Sequence, residues 1–372
     1  MNIKLIESLK KFHQKLFPDY YYVISELMAK ELSNKNLVVA DVGAAYGTDS
    51  RWHPVKNLTQ FVTFEPDTRS QDYTTTNKTV NFATGLSNIK GQQCLYLTKL
   101  PAASSLYPIN SEQIQNFANK DWHEVVGSTL IELDTLDNCL ATRQELKPDF
   151  LKVDVEGADL DVIKGGVNAL ENSILGLQIE VSFIERHKGA PCFSETDTFL
   201  KSQGFDLFIL AREHWLRKNL VHGINCHPQL IWGDAVYFLN KDKLFARIES
   251  VESQEKPVLL IKYLVILLAY GAYDYAIEII DDALSQNIIS EENAQGFKRT
   301  IMSSIISPFS YLIRHVLALL LGAAVYLVFL PLGFIRKRLA VYLNKHIRKL
   351  AYFVLTNTSK GGIYNSCISD FL

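Results

Sequence analysis

Two stretches of this chain predict neighbouring strands of one parallel sheet: VVADVGAAYG at Val38–Gly47 and FLKVDVEGADLDVIKGG at Phe150–Gly166. Each begins with a short apolar run and passes into glycines and carboxylates. That pattern is typical of a buried parallel strand followed by a turn at its carboxyl end. Because ligands of open α/β sheets bind at that edge, the two stretches together predict one binding site.

The first stretch has the features of a nucleoside site. Gly43 and Gly47 would let the backbone approach a ligand, and Asp41 would fix the turn. The spacing D-x-G-x-x-x-G differs from the G-x-G-x-x-G that wraps a pyrophosphate. Glu65 follows the apolar run Phe61–Phe64, at the roughly 20-residue distance where an acid accepts ribose hydroxyls. Either piece alone is equally well explained as an ordinary strand, turn and exposed acid, but together they favour S-adenosylmethionine (SAM).

The second stretch places charged side chains at a strand tip. Lys152, Asp154 and Glu156 alternate at period two, so they point the same way for as long as the strand lasts. We expect Lys152 to pair with one of the acids. The alternative is that Asp154 caps the following helix and Glu156 lies in its first turn, where both favour the helix dipole. Capping side chains would still line the cleft.

Seven sequence blocks, taken in order, resemble the FkbM family of SAM-dependent methyltransferases. The resemblance covers roughly Val38 to Asn240, and its LDTL, LKVDVEG and IEV blocks are more specific than the glycine loop. The full set is DVGAAYG, FEPD, GLSNIKG, SSLY, LDTLDNCL, DFLKVDVEGADLDVIKGG and LQIEVSF.

This resemblance implies a class I, Rossmann-like α/β fold with helices on both faces of the sheet, followed here by an α-helical C-terminal region. It also implies methyl transfer from SAM to oxygen, commonly on a sugar, polyketide or other secondary metabolite. The residues expected to hold SAM are Asp41, Gly43, Ala44, Gly47, Glu65, Pro66, Leu86 and Ser87.

The residues expected to act in catalysis are Lys152, Asp154, Glu156 and His187. Methyl transfer needs little acid–base chemistry, because the sulfonium is already a strong electrophile and alignment does most of the work. Asp154 or Glu156 could take the hydroxyl proton, and so could His187, although a loop histidine is more often merely solvated. No metal site is predicted outright. Asp154 and Glu180 would suit a divalent metal, since hard cations prefer oxygen ligands, but the sequence does not decide the point.

Composition excludes several classes of protein. The 38 lysines and arginines balance 40 aspartates and glutamates, which argues against a nucleic-acid binder. Five scattered cysteines without C-x-x-C pairs indicate neither a disulfide framework nor a zinc site. Lysines interrupt the apolar residues of the N-terminus, so it lacks the core of a signal peptide, and we expect a cytoplasmic protein.

The pattern of the chain predicts four regions: an N-terminal helical cap (1–36), the methyltransferase domain (37–240), a helical hairpin region (241–300) and a hydrophobic helical region (301–372). The string AYGAYDYAIEIIDDAL resembles one tetratricopeptide hairpin, which cannot bury its own face alone. Val316–Ile335 has 20 residues without an ionisable side chain, enough to span a bilayer. Membrane association and burial within a dimer or helical domain are the two alternatives for this tract.

Outside the two organising stretches, the sequence predicts further elements. A helix around Tyr20–Leu32 caps the sheet, and the last two strands form an antiparallel hairpin at the sheet edge. The other predicted strands are Val80–Thr84, Cys94–Leu97, Ile174–Val181, Phe205–Leu210 and Ala235–Leu239. The other predicted helices are Ser111–Lys120, Glu195–Gly204, Pro257–Tyr270 and Tyr273–Leu284.

The sequence therefore predicts a SAM-dependent O-methyltransferase acting on a hydroxyl of a saccharide or secondary metabolite. The expected partners are a small-molecule or glycan acceptor, a membrane surface and a second copy of the chain, with no nucleic acid. The alternative is a non-catalytic module that keeps the SAM-binding fold and recruits a partner through its helical C-terminus.

Overall fold

Ten strands are found in the residues that this computed structural model describes, which are 22–44, 49–66, 78–118, 120–218 and 227–304. A compact unit spans Tyr20–Ile301. The strands are β1 (Leu37–Val42), β2 (Thr59–Phe64), β3 (Thr79–Phe82), β4 (Gly85–Leu86), β5 (Gly91–Thr98), β6 (Val125–Asp134), β7 (Phe150–Val153), β8 (Gly176–Ser182), β9 (Phe205–Trp215) and β10 (Gln229–Leu239).

Seven of these strands form one sheet in the order β3-β2-β1-β7-β8-β10-β9. The pairs from β3 through β8 are parallel, whereas β10 pairs antiparallel with both β8 and β9. All residues of β1 are buried, as expected of an apolar strand with a neighbour on each side. The predicted adjacency of the two organising stretches is confirmed by the pairing of β1 with β7, and the edge hairpin by β9 and β10.

A second, three-stranded sheet has the order β4-β6-β5. The short β4 pairs in parallel with the end of β6, and β5 runs antiparallel along β6. Leu95 of β5 and Ile131 of β6 line the same cavity as the carboxyl ends of the large sheet. This small sheet therefore forms one wall of the candidate site.

The α-helices pack on both faces of the large sheet, which confirms the predicted fold class. In the described part of the chain, 3-10 segments at Ser50–Leu58, Pro101–Ala103 and Lys120–His123 accompany them. The α-helices are α1 (Glu26–Asn34), α2 (Ser111–Ile114), α3 (Leu136–Ala141), α4 (Asp159–Lys164), α5 (Val167–Asn172), α6 (Phe193–Ser202), α7 (Lys241–Ser250), α8 (Lys256–Ala269), α9 (Tyr273–Ser285) and α10 (Glu291–Ser304).

The predicted helix Ser111–Lys120 is too long. It ends at Ile114 because the following backbone bonds to the end of β9 instead. The amide of Ala118 donates to the carbonyl of Leu216, and the amide of Lys218 donates to the carbonyl of Asn116. Backbone groups that pair across the fold in this way cannot continue a helix.

The helices after β10 share their core with the sheet. Helix α8 is apolar almost all round and is buried along most of its length, as expected of a helix covered on several sides. Its Lys262 pairs with Asp149 at 2.8 Å, and the same carboxylate accepts the amide of Val38 at 2.7 Å. Tyr263 donates its hydroxyl to the carbonyl of Leu239 at 2.7 Å. These contacts tie the hairpin region to the strands that form the site.

The tract Val316–Ile335 lies outside the described residues, as do Gly47 and residues 1–21. None of the helices in the described ranges is both long and apolar enough to cross a bilayer.

Candidate functional site

The turn after β7 has a strained and heavily bonded backbone. Glu156 has φ +54° and Gly157 has φ +100°, both in the left-handed region that side chains other than glycine rarely adopt. The buried carboxylate of Asp159 accepts the amides of Val155 at 3.0 Å and Gly157 at 2.8 Å. The hydroxyl of Ser105 donates to the carbonyl of Glu156 at 2.6 Å. These bonds fix Glu156 in a conformation that costs on the order of 1 kcal/mol, a pattern typical of functional turns.

The predicted alternative, in which Asp154 caps the next helix, is wrong. Helix α4 begins five residues later, at Asp159, and it is the Asp159 carboxylate that bonds the amides of the turn. The Asp154 side chain is 40% exposed and faces Lys152. Asp154 is therefore available to a ligand.

The glycine turn after β1 packs directly on the turn after β7. Gly43 has φ +83°, and a β-carbon there would lie 2.0 Å from the carbonyl oxygen of Asp154. Its amide donates to the carbonyl of Phe64 at 3.0 Å. Glycine at this position is thus required both by backbone conformation and by space.

Lys152 lies between two carboxylates. Its Nζ is 3.3 Å from Oδ1 of Asp41 and 3.4 Å from Oδ2 of Asp154, so it pairs with two acids rather than the one expected. Burial alone would lower the pKa of Lys152, but the two carboxylates raise it above its usual value. Lys152 is therefore a fixed ammonium that orients Asp154, and it cannot act as a base at neutral pH.

Arg186 pairs with two further carboxylates. Its side chain is 2% exposed, and the guanidinium bonds Glu180 and lies 3.2 Å from Oε2 of Glu156. Its Nε donates to the hydroxyl of Ser182 at 3.0 Å. The guanidinium carbon also lies 5.7 Å from the ring centre of Trp232. One cation thus fixes both acids and an aromatic ring.

This arrangement gives Glu156 a pKa suited to proton transfer. Burial raises the pKa of Glu156 to about 7, against the opposing charge of Arg186. Burial also raises the pKa of Glu180, again against Arg186. A carboxyl that titrates near neutral pH can accept a proton from a neighbouring hydroxyl and release it afterwards.

A cavity of about 310 Å³ opens at the carboxyl ends of β1, β2 and β7. Most of the sequence-predicted residues line it. They are Gly43, Glu65, Pro66, Leu86, Lys152, Asp154, Glu156 and Glu180. The structure therefore brings the expected cofactor and catalytic residues to one place.

Three of the residues expected to hold SAM are described but do not line the cavity. Asp41 is buried behind Lys152, and Ala44 is buried beyond the glycine turn. The backbone of Ser87 is used elsewhere, because its amide donates to Asp134 and its carbonyl would meet a β-carbon on Gly165 at 2.1 Å. Their contribution to the site is through packing rather than through the lining.

His187 does not occupy the position that a general base requires. It is 1% exposed rather than solvated, and its ring packs against Gly157 outside the cavity lining. Burial lowers its pKa to about 3, with the charge of Arg186 acting in the same direction. A backbone bridge between His187 and Ile109 holds it there. The predicted role of His187 as a base has no support.

The suggested metal pair also has no support in the structure. Within the described ranges, no three histidine, cysteine, aspartate or glutamate side chains are arranged to hold a metal ion. The carboxylate of Glu180 is bonded to Arg186. Asp154 is likewise engaged, by Lys152.

Two lining residues, Trp232 and Asp234, were missed from the sequence. Both lie on β10, where Asp234 is directly opposite Glu180 of β8. The signal was period two in LIWGDAV, which places residues 232 and 234 on the face shared by Glu180. The predicted strand began only at Ala235, so it left out both residues.

Comparisons with known proteins found similarity to methyltransferases. The family model of the methyltransferase FkbM domain matches residues 41–207. The methyltransferase sdnD of Sordaria araneosa is 29% identical over 181 residues, which cover 41% of this chain and 67% of that protein. The crystal structure of methyltransferase FkbM from Methylobacillus flagellatus is 14% identical with a TM-score of 0.31, and the match covers 55% of this chain and 43% of that one.

The match to residues 41–207 includes both turns that form the cavity, those at Gly43 and at Asp154–Gly157. It confirms the resemblance predicted from the sequence. Residues 41–207 of this chain are therefore similar to the methyltransferase FkbM domain.

Proposed function

We propose that this protein transfers a methyl group from SAM to a hydroxyl oxygen of a small-molecule or glycan acceptor. The observation that carries the proposal is the cavity where Gly43, Glu65 and Asp154 meet at the carboxyl ends of three adjacent parallel strands. That edge is where open α/β sheets bind nucleosides. The family match supports the transferred group.

The end of the cavity near β2 suits the nucleoside of SAM. Glu65 follows β2 directly and is buried. Water would therefore compete little for the hydrogen bonds between its carboxylate and a ribose. Leu86 and Ile131 provide apolar surface for a flat base. Gly43 leaves room for the ligand to approach the backbone.

The charge of the cavity favours a cationic cofactor. Five carboxyl groups are found among the described lining residues, of which Arg186 holds two, against a single lining lysine, Lys152. SAM carries a sulfonium and an ammonium against one carboxylate. Asp154, held by Lys152 yet partly exposed, would face that positive end.

The reaction needs alignment and one proton acceptor. Bound SAM would supply a methyl group that the positive sulfur has already activated. Asp154 would orient the acceptor hydroxyl, because the turn after β7 and Lys152 hold its carboxylate. Glu156, with its pKa raised to about 7 by burial, would receive the hydroxyl proton as the oxygen gains the methyl group.

The proposed transfer can be tested without knowing the acceptor. SAM carrying a trideuteromethyl group would be incubated with the purified protein and an extract of cells that lack it. We expect a product that carries the label on oxygen. A labelled product that also forms with Asp154→Asn, or the absence of any labelled product, would contradict the proposal.

We also propose that the C-terminal region attaches the protein to a membrane from the cytoplasmic side. The support is the uncharged tract Val316–Ile335, followed closely by Arg336, Lys337 and Arg338. Apolar residues of this number insert favourably into a bilayer, and each nearby cation adds about 1 kcal/mol of attraction to anionic lipid.

A further inference from the structure

Asp234 is a carboxylate in the cavity without a cation of its own. Its side chain accepts a hydrogen bond from Gln178, and burial raises its pKa above the usual value. None of the ion pairs recorded between described residues includes Asp234. The two cations whose charges act on Asp234 are engaged elsewhere, since Lys152 lies between Asp41 and Asp154 and Arg51 pairs with Asp49.

A half-buried carboxylate without a cation costs free energy, and a ligand with a positive charge would offset that cost. An anionic acceptor would instead meet an excess of carboxylates in the lining. The fixed charges of this end of the cavity therefore select against phosphate or carboxylate groups and in favour of an ammonium group.

An aromatic ring lies beside Asp234 on the same strand face. Trp232 lines the cavity and is separated from Asp234 by Gly233 alone. Arg186 approaches the same indole ring from beneath, at 5.7 Å from its centre. Indole rings attract cations electrostatically, so a carboxylate and an indole together form a suitable surface for an amine.

The strand spacing sets the distance between Asp234 and the reacting end. Asp154 follows β7 and Asp234 lies on β10, with β8 between them. Adjacent strands lie about 4.8 Å apart, so these two positions are roughly 10 Å apart across the sheet. The negative charge of Asp154 is near enough to raise the pKa of Asp234 further, so one small acceptor could contact both carboxylates.

We propose that the acceptor is an amino alcohol, such as an amino sugar, whose protonated amine lies between Asp234 and Trp232 while its hydroxyl faces Asp154. This inference rests on the proposed methyl transfer and specifies its substrate class. Both recognition residues lie beyond the residues 41–207 that match the family. They are therefore features of this chain rather than of the matched domain.

The charge of the methylated product tests the proposal directly. The trideuteromethyl product from the extract would be treated with acetic anhydride under mild aqueous conditions, which acetylates amines. We expect the labelled product to gain an acetyl group and to lose retention on a cation exchanger. A labelled product that is neutral or anionic and does not react would overturn the inference while leaving methyl transfer intact. If no labelled product forms, methyl transfer itself fails and the inference fails with it.

The Asp234→Asn variant supplies the second arm, using the acceptor isolated from that reaction. Asparagine keeps the shape and the bond to Gln178 but removes the charge. We expect Asp234→Asn to lower kcat/KM for the free amine at least about tenfold. Acetylating the acceptor amine should lower the kcat/KM of wild type by a similar factor. For the variant, acetylation should lower kcat/KM little further. The affinity for SAM should fall by a much smaller factor than kcat/KM. Glu252→Gln, an exposed acid outside the cavity, serves as the control.

Two results from that arm would overturn the inference. If Asp234→Asn weakens SAM binding by the same factor as it lowers kcat/KM, the carboxylate serves the cofactor. If wild type and the variant prefer the free amine to the same degree, Asp234 does not recognise it.

Discussion

Gly43 and Asp154 approach so closely that a β-carbon on Gly43 would lie 2.0 Å from the carbonyl oxygen of Asp154. The two residues are 111 positions apart in the chain, yet each directly follows one of the paired strands β1 and β7. The contact joins the glycine turn to the turn that presents Asp154. Asp154 is expected to face the acceptor, and Gly43 lies in the turn expected to face SAM. The position of Asp154 therefore requires that residue 43 has no side chain.

We predict that Gly43→Ala destabilises the protein by at least about 2 kcal/mol, since it adds both a left-handed conformation and a clash with backbone. Gly189→Ala is a matched control. Gly189 has a similar φ of +78°, but a β-carbon there would meet nothing within 4 Å. Urea unfolding should show a clearly larger loss for Gly43→Ala. Equal losses would mean that conformation alone, and not the contact with Asp154, requires glycine.

Asp154 and Asp159 should respond differently to the same substitution. Asp154→Asn should lose methyl transfer without a fall in Tm, because Asp154 is partly exposed and bonds no backbone amide of the turn. Asp159→Asn should lower Tm, because its buried carboxylate accepts two of those amides. Thermal unfolding and the labelled-methyl assay measure both effects. Parallel losses of Tm and activity in Asp154→Asn would assign it a structural role.

The contribution of Arg186 to stability should depend on pH. Burial raises the pKa of Glu156 to about 7 and that of Glu180 above its usual value, so the folded state favours their neutral forms. The stability that these carboxyls contribute is present below pH 4.5 and is lost as the pH rises through about 7. Without Arg186, deprotonation leaves two buried carboxylates without their cation.

We therefore expect Arg186→Met to lose about 3–5 kcal/mol of unfolding free energy at pH 8 and clearly less at pH 5. Arg143→Met removes an exposed arginine and should change stability little at either pH. Denaturant unfolding at the two pH values is the measurement. A loss that is independent of pH would contradict the proton-linked account of this pair.

The C-terminal tract should determine whether the protein is recovered in the membrane fraction. Removing residues 305–372 should release the protein from the membrane fraction and leave SAM affinity unchanged, because no residue of the cavity lining described here lies in that range. For the full chain, detergent should extract the protein and high salt should not. A full chain that purifies without detergent and does not bind liposomes would show that the tract is buried in a protein interface.

The pairing of β1 with β7 was predictable because a short apolar run that ends in glycine and carboxylate has few alternatives to a buried parallel strand. The sequence did not predict that Asp159 is the side chain that accepts the amides of the turn after β7. Glu156 and Gly157 adopt left-handed conformations that lengthen the turn, so α4 begins at Asp159 and Asp154 is released from capping. Neither the period-two pattern of the strand nor the capping preference of aspartate predicts these backbone conformations.

Long-range packing accounts for the other differences. The sequence around His187 has the polarity of a loop, but a bridge to Ile109 buries it. Trp232 and Asp234 were missed because Gly233 interrupts the apolar run of β10. Glycine is needed there, since a β-carbon added at Gly233 would lie 2.4 Å from the carbonyl oxygen of Ala211. Such a close approach of two strands is visible only after the fold has brought them together.

Binding of SAM to the full chain, measured by isothermal titration with wild type, Glu65→Gln and Glu132→Gln, tests the central claim most directly. Glu65 lines the cavity at the end of β2, whereas Glu132 is an exposed glutamate of β6 outside it. We predict one SAM bound per wild-type chain and unchanged affinity for Glu132→Gln. Glu65→Gln should bind at least about tenfold more weakly, for a loss of roughly 1.5–3 kcal/mol. Folded wild type that binds no SAM, or equal affinity in all three proteins, would contradict the account.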